Sequence, residues 1–133
     1  MKQDKICIDT DMLQDYLLNK KKAVETIAEI EKTADCATTA LSVFELFCIA
    51  EQTEKPDENI KVVEDLIERM TILQFTSASC KQAAKLFTEL QKLSKKPEIR
   101  DILVGVLIKQ QNYIIATSDK ERYKLVPGLK IYK

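Results

Sequence analysis

The 133-residue chain contains no histidine and no tryptophan. The first absence excludes His-based catalytic triads and His-ligated zinc. Any acid–base or metal chemistry must therefore use carboxylates, Lys, Tyr or Cys. Net charge is also missing: Lys+Arg and Asp+Glu both number 21. That balance argues neither for nor against nucleic acid, which would need a local basic patch. The cysteines Cys7, Cys36, Cys48 and Cys80 show no CxxC spacing, so a zinc site is not expected. Cys7, Cys36 and Cys48 lie in apolar runs, where a thiol packs as a small hydrophobe. They read as reduced cysteines of a cytoplasmic protein. The opening MKQDKICIDTDML has no long apolar run, so neither a signal peptide nor a membrane anchor is expected. There is no internal repeat and no low-complexity tract.

What is present is a hydrophobic fraction of 45%, enough for a real core, in a length that suits one domain, 1–133. Short apolar runs read as strands at Lys5–Ile8, Asp35–Thr38, Thr71–Phe75 and Tyr113–Ala116, with a short last one at Lys130–Tyr132. Helical spacing covers Met12–Leu18, Ala23–Lys32, Thr39–Glu51, Glu58–Arg69, Ser77–Ser94 and Ile99–Gln111. Thr10 or Asp11 is expected to cap the first helix and Asp57 the fourth. Strands alternating with helices predict an α/β fold, a parallel sheet with helices on both faces. In such sheets ligands bind at the carboxyl ends of the strands.

Acids stand at those places. Asp9 ends the first strand, and Asp119 follows the strand 113–116. Glu45 lies in SVFELF, near the apolar side of its helix. Asp101 opens a helix whose next seven residues, Ile102 to Ile108, are all apolar or glycine. Each has a plain reading on its own. Asp9 and Asp119 suit turns and caps, Asp101 favours a helix N-terminus, and Glu45 suits pairing with a lysine. Together they fit a shared pocket. Two unit charges about 4 Å apart repel by about 4 kcal/mol at an effective dielectric near 20, so such a pocket demands a cation. Oxygen-only ligands suit Mg²⁺ or Mn²⁺. Ions so held cleave phosphodiesters by polarising a phosphoryl oxygen and acidifying a water.

The segments CIDTDML, ALSVFELF, IRDILVGVL and IIATSDKERYKLVPGLKIY together resemble the PIN domain family, most closely its VapC-type toxin ribonucleases. The resemblance spans nearly the whole chain. It implies a PIN-like α/β/α sandwich with a mainly parallel sheet of four to five short strands and about seven helices. It maps the catalytic and metal-binding set onto Asp9, Glu45, Asp101 and Asp119, with Thr10, Ser42, Thr117 and Ser118 as supporting polar groups. Asp11 and Glu121 join as outer ligands. It further implies an Mg²⁺- or Mn²⁺-dependent endoribonuclease, an RNA substrate, a homodimer, and a small antitoxin partner that places an Arg in the acidic pocket. Lys20, Lys21, Lys22, Arg100, Lys120, Arg122 and Lys124 are the cations available to lead RNA there. A non-catalytic RNA- or protein-binding module and an RNA-processing nuclease that is not a toxin remain as alternatives. Gly105 stands where relatives often have Ala, which suggests close packing. The apolar faces 41–48 and 86–93 suit either a core or a dimer.

Overall fold

The structure is a computed structural model that describes residues 4–133. Four strands form one parallel sheet in the order β3-β2-β1-β4. They are β1 (Asp4–Ile8), β2 (Ala34–Thr39), β3 (Thr71–Leu73) and β4 (Ile114–Ala116). Six α-helices surround it: α1 (Thr10–Leu17), α2 (Lys21–Thr33), α3 (Ala40–Glu51), α4 (Pro56–Ile67), α5 (Ser77–Lys92) and α6 (Ile99–Gln110). A single 3-10 turn, Lys120–Tyr123, makes the seventh helical element among the described residues.

Strand alternation divides the core. Ile6 and Ile8 of β1 pack with Leu13, Ile27, Ile30, Leu46 and Leu66, so α1 to α4 cover one face. Cys7, between them, points the other way, toward Val104, Leu107 and Ile108 of α6. α5 packs outside α6 through Ala83 and Leu90. The result is the expected α/β/α sandwich. β1 is one of the two inner strands, paired with β2 on one side and β4 on the other. The chain builds outward through β2 and β3, then returns to the far side of β1 for β4. That reversal is a topological switch point, and it places the ends of β1 and β4 side by side.

Several boundaries differ from the sequence expectation. The cap of α1 is Asp9, whose side chain accepts from the Thr10 amide at 2.9 Å; Thr10 and Asp11 already lie inside the helix. Asp57 does not cap α4. Pro56 occupies the first turn, and its fixed φ starts the helix one residue ahead of Asp57. Residues 130–132 form one parallel bridge, Ile115 to Ile131, rather than a full strand. Asn19 and Asn112 end α1 and α6 in the left-handed conformation, at φ of 61° and 64°. Asparagine tolerates that region better than most residues.

Gly105 sits in the buried face of α6. A Cβ there would lie 2.7 Å from Val126 Cγ2 and 3.3 Å from Tyr123 Cδ1. Val126 is β-branched and buried, so it has little room to turn. Gly105→Ala should gain about 1 kcal/mol of helix propensity and lose about 1–3 kcal/mol to overpacking. A net loss of up to about 2 kcal/mol is expected in urea denaturation, with Val126→Ala restoring most of it. A Gly105→Ala protein more stable than wild type would show that the contact yields.

Candidate functional site

The end of β1 delivers Asp9 into the interior, where its side chain has no exposure. The strand leaves it no freedom, because its own amide donates to the Ala116 carbonyl at 2.9 Å. Both carboxylate oxygens are used. Oδ1 accepts from the Thr10 amide and from Arg100 Nη2 at 3.0 Å. Oδ2 accepts from the Tyr123 hydroxyl at 2.8 Å and from Thr117 Oγ1 at 3.3 Å. Arg122 Nη1 lies 3.5 Å from Oδ2.

Arg100 is the hub. It stands in the first turn of α6, yet its guanidinium reaches across to three carboxylates. Nε and Nη2 grip the two oxygens of Glu45, each at 2.9 Å, as a fork. Nη2 also reaches Asp9. Nη1 donates to Asp101 Oδ1 at 3.2 Å and to the Tyr123 hydroxyl at 2.7 Å. Asp9, Glu45 and Asp101 therefore face one cation. They come from the end of β1, the middle of α3 and the start of α6.

A line of hydroxyls orients Glu45. Thr10 Oγ1 lies 2.5 Å from Glu45 Oε1 and 2.8 Å from Ser42 Oγ, and Thr39 Oγ1 lies 3.2 Å from the same Ser42 oxygen. Thr39 caps α3 by accepting from the Ser42 amide. The cap thus fixes the helix that carries Glu45. Thr117, after β4, bridges Asp9 and Asp11, lying 3.1 Å from Asp11 Oδ2. Asp11 also accepts from the Ser118 amide at 3.4 Å. It forms a second ring behind Asp9.

The other expected residues sit further out. Asp119 is at the rim, with a side chain 54% exposed, and it approaches Arg122 Nε at 3.9 Å. Glu121 points into solvent, 82% exposed, and pairs with Lys124. It is not among the groups around Arg100. Lys20, Lys22 and Lys120 line a groove of about 510 Å³ beside Thr117 and Ser118, facing Asp15, Glu25 and Glu29, with Lys20 paired to Asp15 at 3.2 Å. Arg100, expected as an RNA-leading cation, is instead turned inward, with its side chain only 23% exposed. Arg122 is likewise engaged, with Asp9. Tyr123 did not emerge from the sequence at all. Its one signal there is an aromatic in a polar stretch, KERY, where nothing apolar lies alongside.

Burial pushes the Glu45 carboxyl up, but hydrogen bonds from Arg100 and Thr10, with the charges of Arg100 and Arg122, outweigh it and leave it below its ordinary value. Asp101 comes out the other way. Burial dominates over its bond to Arg100 and raises its pKa. Asp101 accepts one bond from this cation where Glu45 accepts two and a third from Thr10, and the Asp9 charge adds to the rise at Asp101. Burial and the neighbouring Asp9 charge hold Tyr123 far above its usual range, so its hydroxyl stays protonated and donates to Asp9.

Carboxylate oxygens are the donors that hard divalent ions select, and the guanidinium among them is a stand-in cation. The pocket chemistry therefore fits Mg²⁺ or Mn²⁺. The present arrangement is wrapped around Arg100, however. Among the described residues no three acidic or thiol groups are set as an ion cage.

Comparison with known proteins places the fold. The chain matches the PIN domain family over residues 6–128. It is 25% identical over 127 residues to "Ribonuclease VapC2" of Haemophilus influenzae, covering 95% of each chain. It is 21% identical over 126 residues to the "tRNA(fMet)-specific endonuclease VapC" of Shigella flexneri, again over 95% of each. Among solved structures it superposes on a chain of the VapBC2 complex of Rickettsia felis, bound to a promoter DNA fragment, with a TM-score of 0.84 at 16% identity over 96% of each chain. A chain of DNA-bound VapBC from Salmonella typhimurium gives 0.83 at 18% identity over 98% of each. By its sequence match from residue 6 to residue 128, this chain belongs to the PIN domain family.

Proposed function

We propose that the protein is a divalent-metal-dependent endoribonuclease and the toxin of a toxin–antitoxin pair. The observation that carries this reading is the meeting of Asp9, Glu45 and Asp101 on a single guanidinium at the carboxyl end of the sheet. Carboxylates from three distant segments, drawn together with one cation between them, suit an ion-binding centre better than a packing role. The names of the relatives, ribonuclease and tRNA(fMet)-specific endonuclease, support RNA as substrate. The solved VapBC complexes support a small antitoxin as partner.

In this reading Asp9, Glu45, Asp101 and Asp119 hold Mg²⁺ or Mn²⁺. Bound there, the ion supplies Lewis-acid polarisation of the phosphoryl oxygen and a water of lowered pKa. The chain's own residues do the rest. β1 and Tyr123 fix Asp9. Thr10 and Ser42 aim Glu45. Thr117 holds Asp11 and Asp9 in register. Lys20, Lys22 and Lys120, along the adjoining groove, neutralise the RNA backbone. A homodimer belongs to the same proposal. An apolar cleft between α5 and α6, lined by Cys80, Ala84, Phe87 and Leu103, lies beside the exposed Ile99 and is its candidate surface.

Structured and unstructured RNAs, tRNA included, should be cleaved with Mg²⁺ or Mn²⁺ and left intact in EDTA or by Asp9→Asn. Millimolar Mn²⁺ should also raise the melting temperature, because a ligand at about 100 times its Kd adds about 2.7 kcal/mol to the native state. Intact RNA under every ion, with no melting shift, rejects the nuclease. It would favour the non-catalytic module, in which Arg100 closes the pocket permanently.

A further inference from the structure

We propose that Arg100 is the chain's own exchangeable counterion: its guanidinium occupies the acidic pocket in the metal-free protein, and a divalent ion enters only by displacing it from Asp9 and Glu45. The inference rests on the metal-dependent reading above and adds to it a residue that sets metal affinity.

The position of Arg100 makes no sense as helix chemistry. It stands in the first turn of α6, whose N-cap, Glu98, makes no side-chain cap. That end of a helix carries partial positive charge and disfavours cations. Its other surroundings are the pocket, and there the fit is complete. The five N–H groups of a guanidinium all have acceptors within 3.2 Å: the two oxygens of Glu45, Asp9, Asp101 and the Tyr123 hydroxyl. A surface cation that merely leads RNA inward keeps its donors in water. This one is saturated by the groups that a metal needs.

Exchange follows from charge and from lone pairs. Asp9, Glu45 and Asp101 bring three negative charges; Arg100 and Arg122 bring two positive ones. A divalent ion placed beside the guanidinium meets a like charge at close range in a half-buried site. It also asks for oxygen lone pairs already directed at N–H groups. With the guanidinium withdrawn, one of the two like charges leaves, and the oxygens of Glu45 and Asp101 and Oδ1 of Asp9 are released, while Arg122 stays beside Asp9 Oδ2. The side chain is long and 23% exposed, whereas the Asp9 side chain has no exposure. Asp9 by contrast is fixed by the sheet. The part that moves is therefore the cation and not the ligands.

Mn²⁺ titration of the intact protein by calorimetry, with melting curves in EDTA, tests this on wild type, Arg100→Gln and Arg100→Lys. Arg100→Gln should bind Mn²⁺ at least about tenfold tighter than wild type while melting lower in EDTA, a gap that saturating Mn²⁺ closes. Arg100→Lys keeps the charge and loses the fork on Glu45, so it should fall between the two. If Arg100→Gln does not fold, the comparison of Arg100→Lys with wild type decides by the same rule. Variants that bind Mn²⁺ no tighter than a wild type that does bind it overturn the exchange alone. No binding by any of the three overturns the exchange and the metal-dependent reading together.

Discussion

Asp101→Asn is expected to lose RNA cleavage by roughly a hundredfold or more and yet to melt in EDTA no lower than wild type. Changes to groups that only support a metal ligand typically cost about 10–100-fold in affinity or activity, so loss of a ligand itself should cost at least that. Stability moves the other way because of the sign of the Asp101 pKa. Burial raises it in the folded protein. A carboxyl with a raised native pKa opposes folding wherever it is ionised. That penalty is present at neutral pH and fades as pH falls through the raised value toward the unfolded one. Asn has the same size, keeps an acceptor for Arg100 and carries no charge. Its advantage should therefore be between zero and about 1 kcal/mol at pH 7 and should shrink in acid. Melting curves from pH 4 to pH 8, alongside Mn²⁺-dependent cleavage, measure both. A variant that is less stable but fully active would make Asp101 a simple helix-end acid.

Asp9→Ala should behave in the opposite way. Asp9 accepts from a backbone amide, two hydroxyls and Arg100, with Arg122 close by, and it is fully buried. Removing it leaves the Arg100 and Arg122 charges short of a partner and the Tyr123 hydroxyl without an acceptor. Breaking a buried ion pair from one side costs about 3–5 kcal/mol. For a domain of this size that is a fall of roughly 10–20 °C in melting temperature. Asp9→Asn, which keeps the cap and one acceptor, should lose less than half of that. Calorimetry in EDTA separates the two variants. Near-wild-type melting of Asp9→Ala would mean that the cluster does not hold the fold together at this point.

Two carboxylates of one pocket are thus expected to contribute to stability with opposite sign, and the sequence says why only in part. Asp9 was legible because a buried run, ICI, ends on it, and only a strand edge explains an acid there. Cap and pocket do not compete at Asp9: one oxygen caps α1 while also meeting Arg100. Asp101 was legible through the seven residues that follow it, which leave a charge no other exit. Arg100 was not. A cation beside an acid at the start of a helix looks solvated in one dimension, and only the position of Glu45 across the pocket draws it inward. Tyr123 was hidden for the same reason, since its partners lie 114 and 23 residues away. The misplaced cap at Asp57 has a local cause. Proline fixes φ, and that outranked the propensity of aspartate to start a helix. The C-terminal strand was overread because β4 is short, and Ile131 has room beside it for one bridge only.

The span of the Asp9 contacts has a consequence for how the protein is made. The groups that hold Asp9 lie 91, 108 and 114 residues further along the chain. A chain still emerging from its ribosome has β1 and α3, and so Asp9 and Glu45, long before it has β4, Thr117 or Tyr123. The pocket has no second wall until Arg100, Thr117 and Tyr123 have been added. Throughout translation, the growing polypeptide is surrounded by the messenger, ribosomal and transfer RNA that a ribonuclease could destroy. The assembled centre therefore waits on residues made 91 to 114 positions after Asp9, and a growing chain that stops short of them carries the acids without the centre.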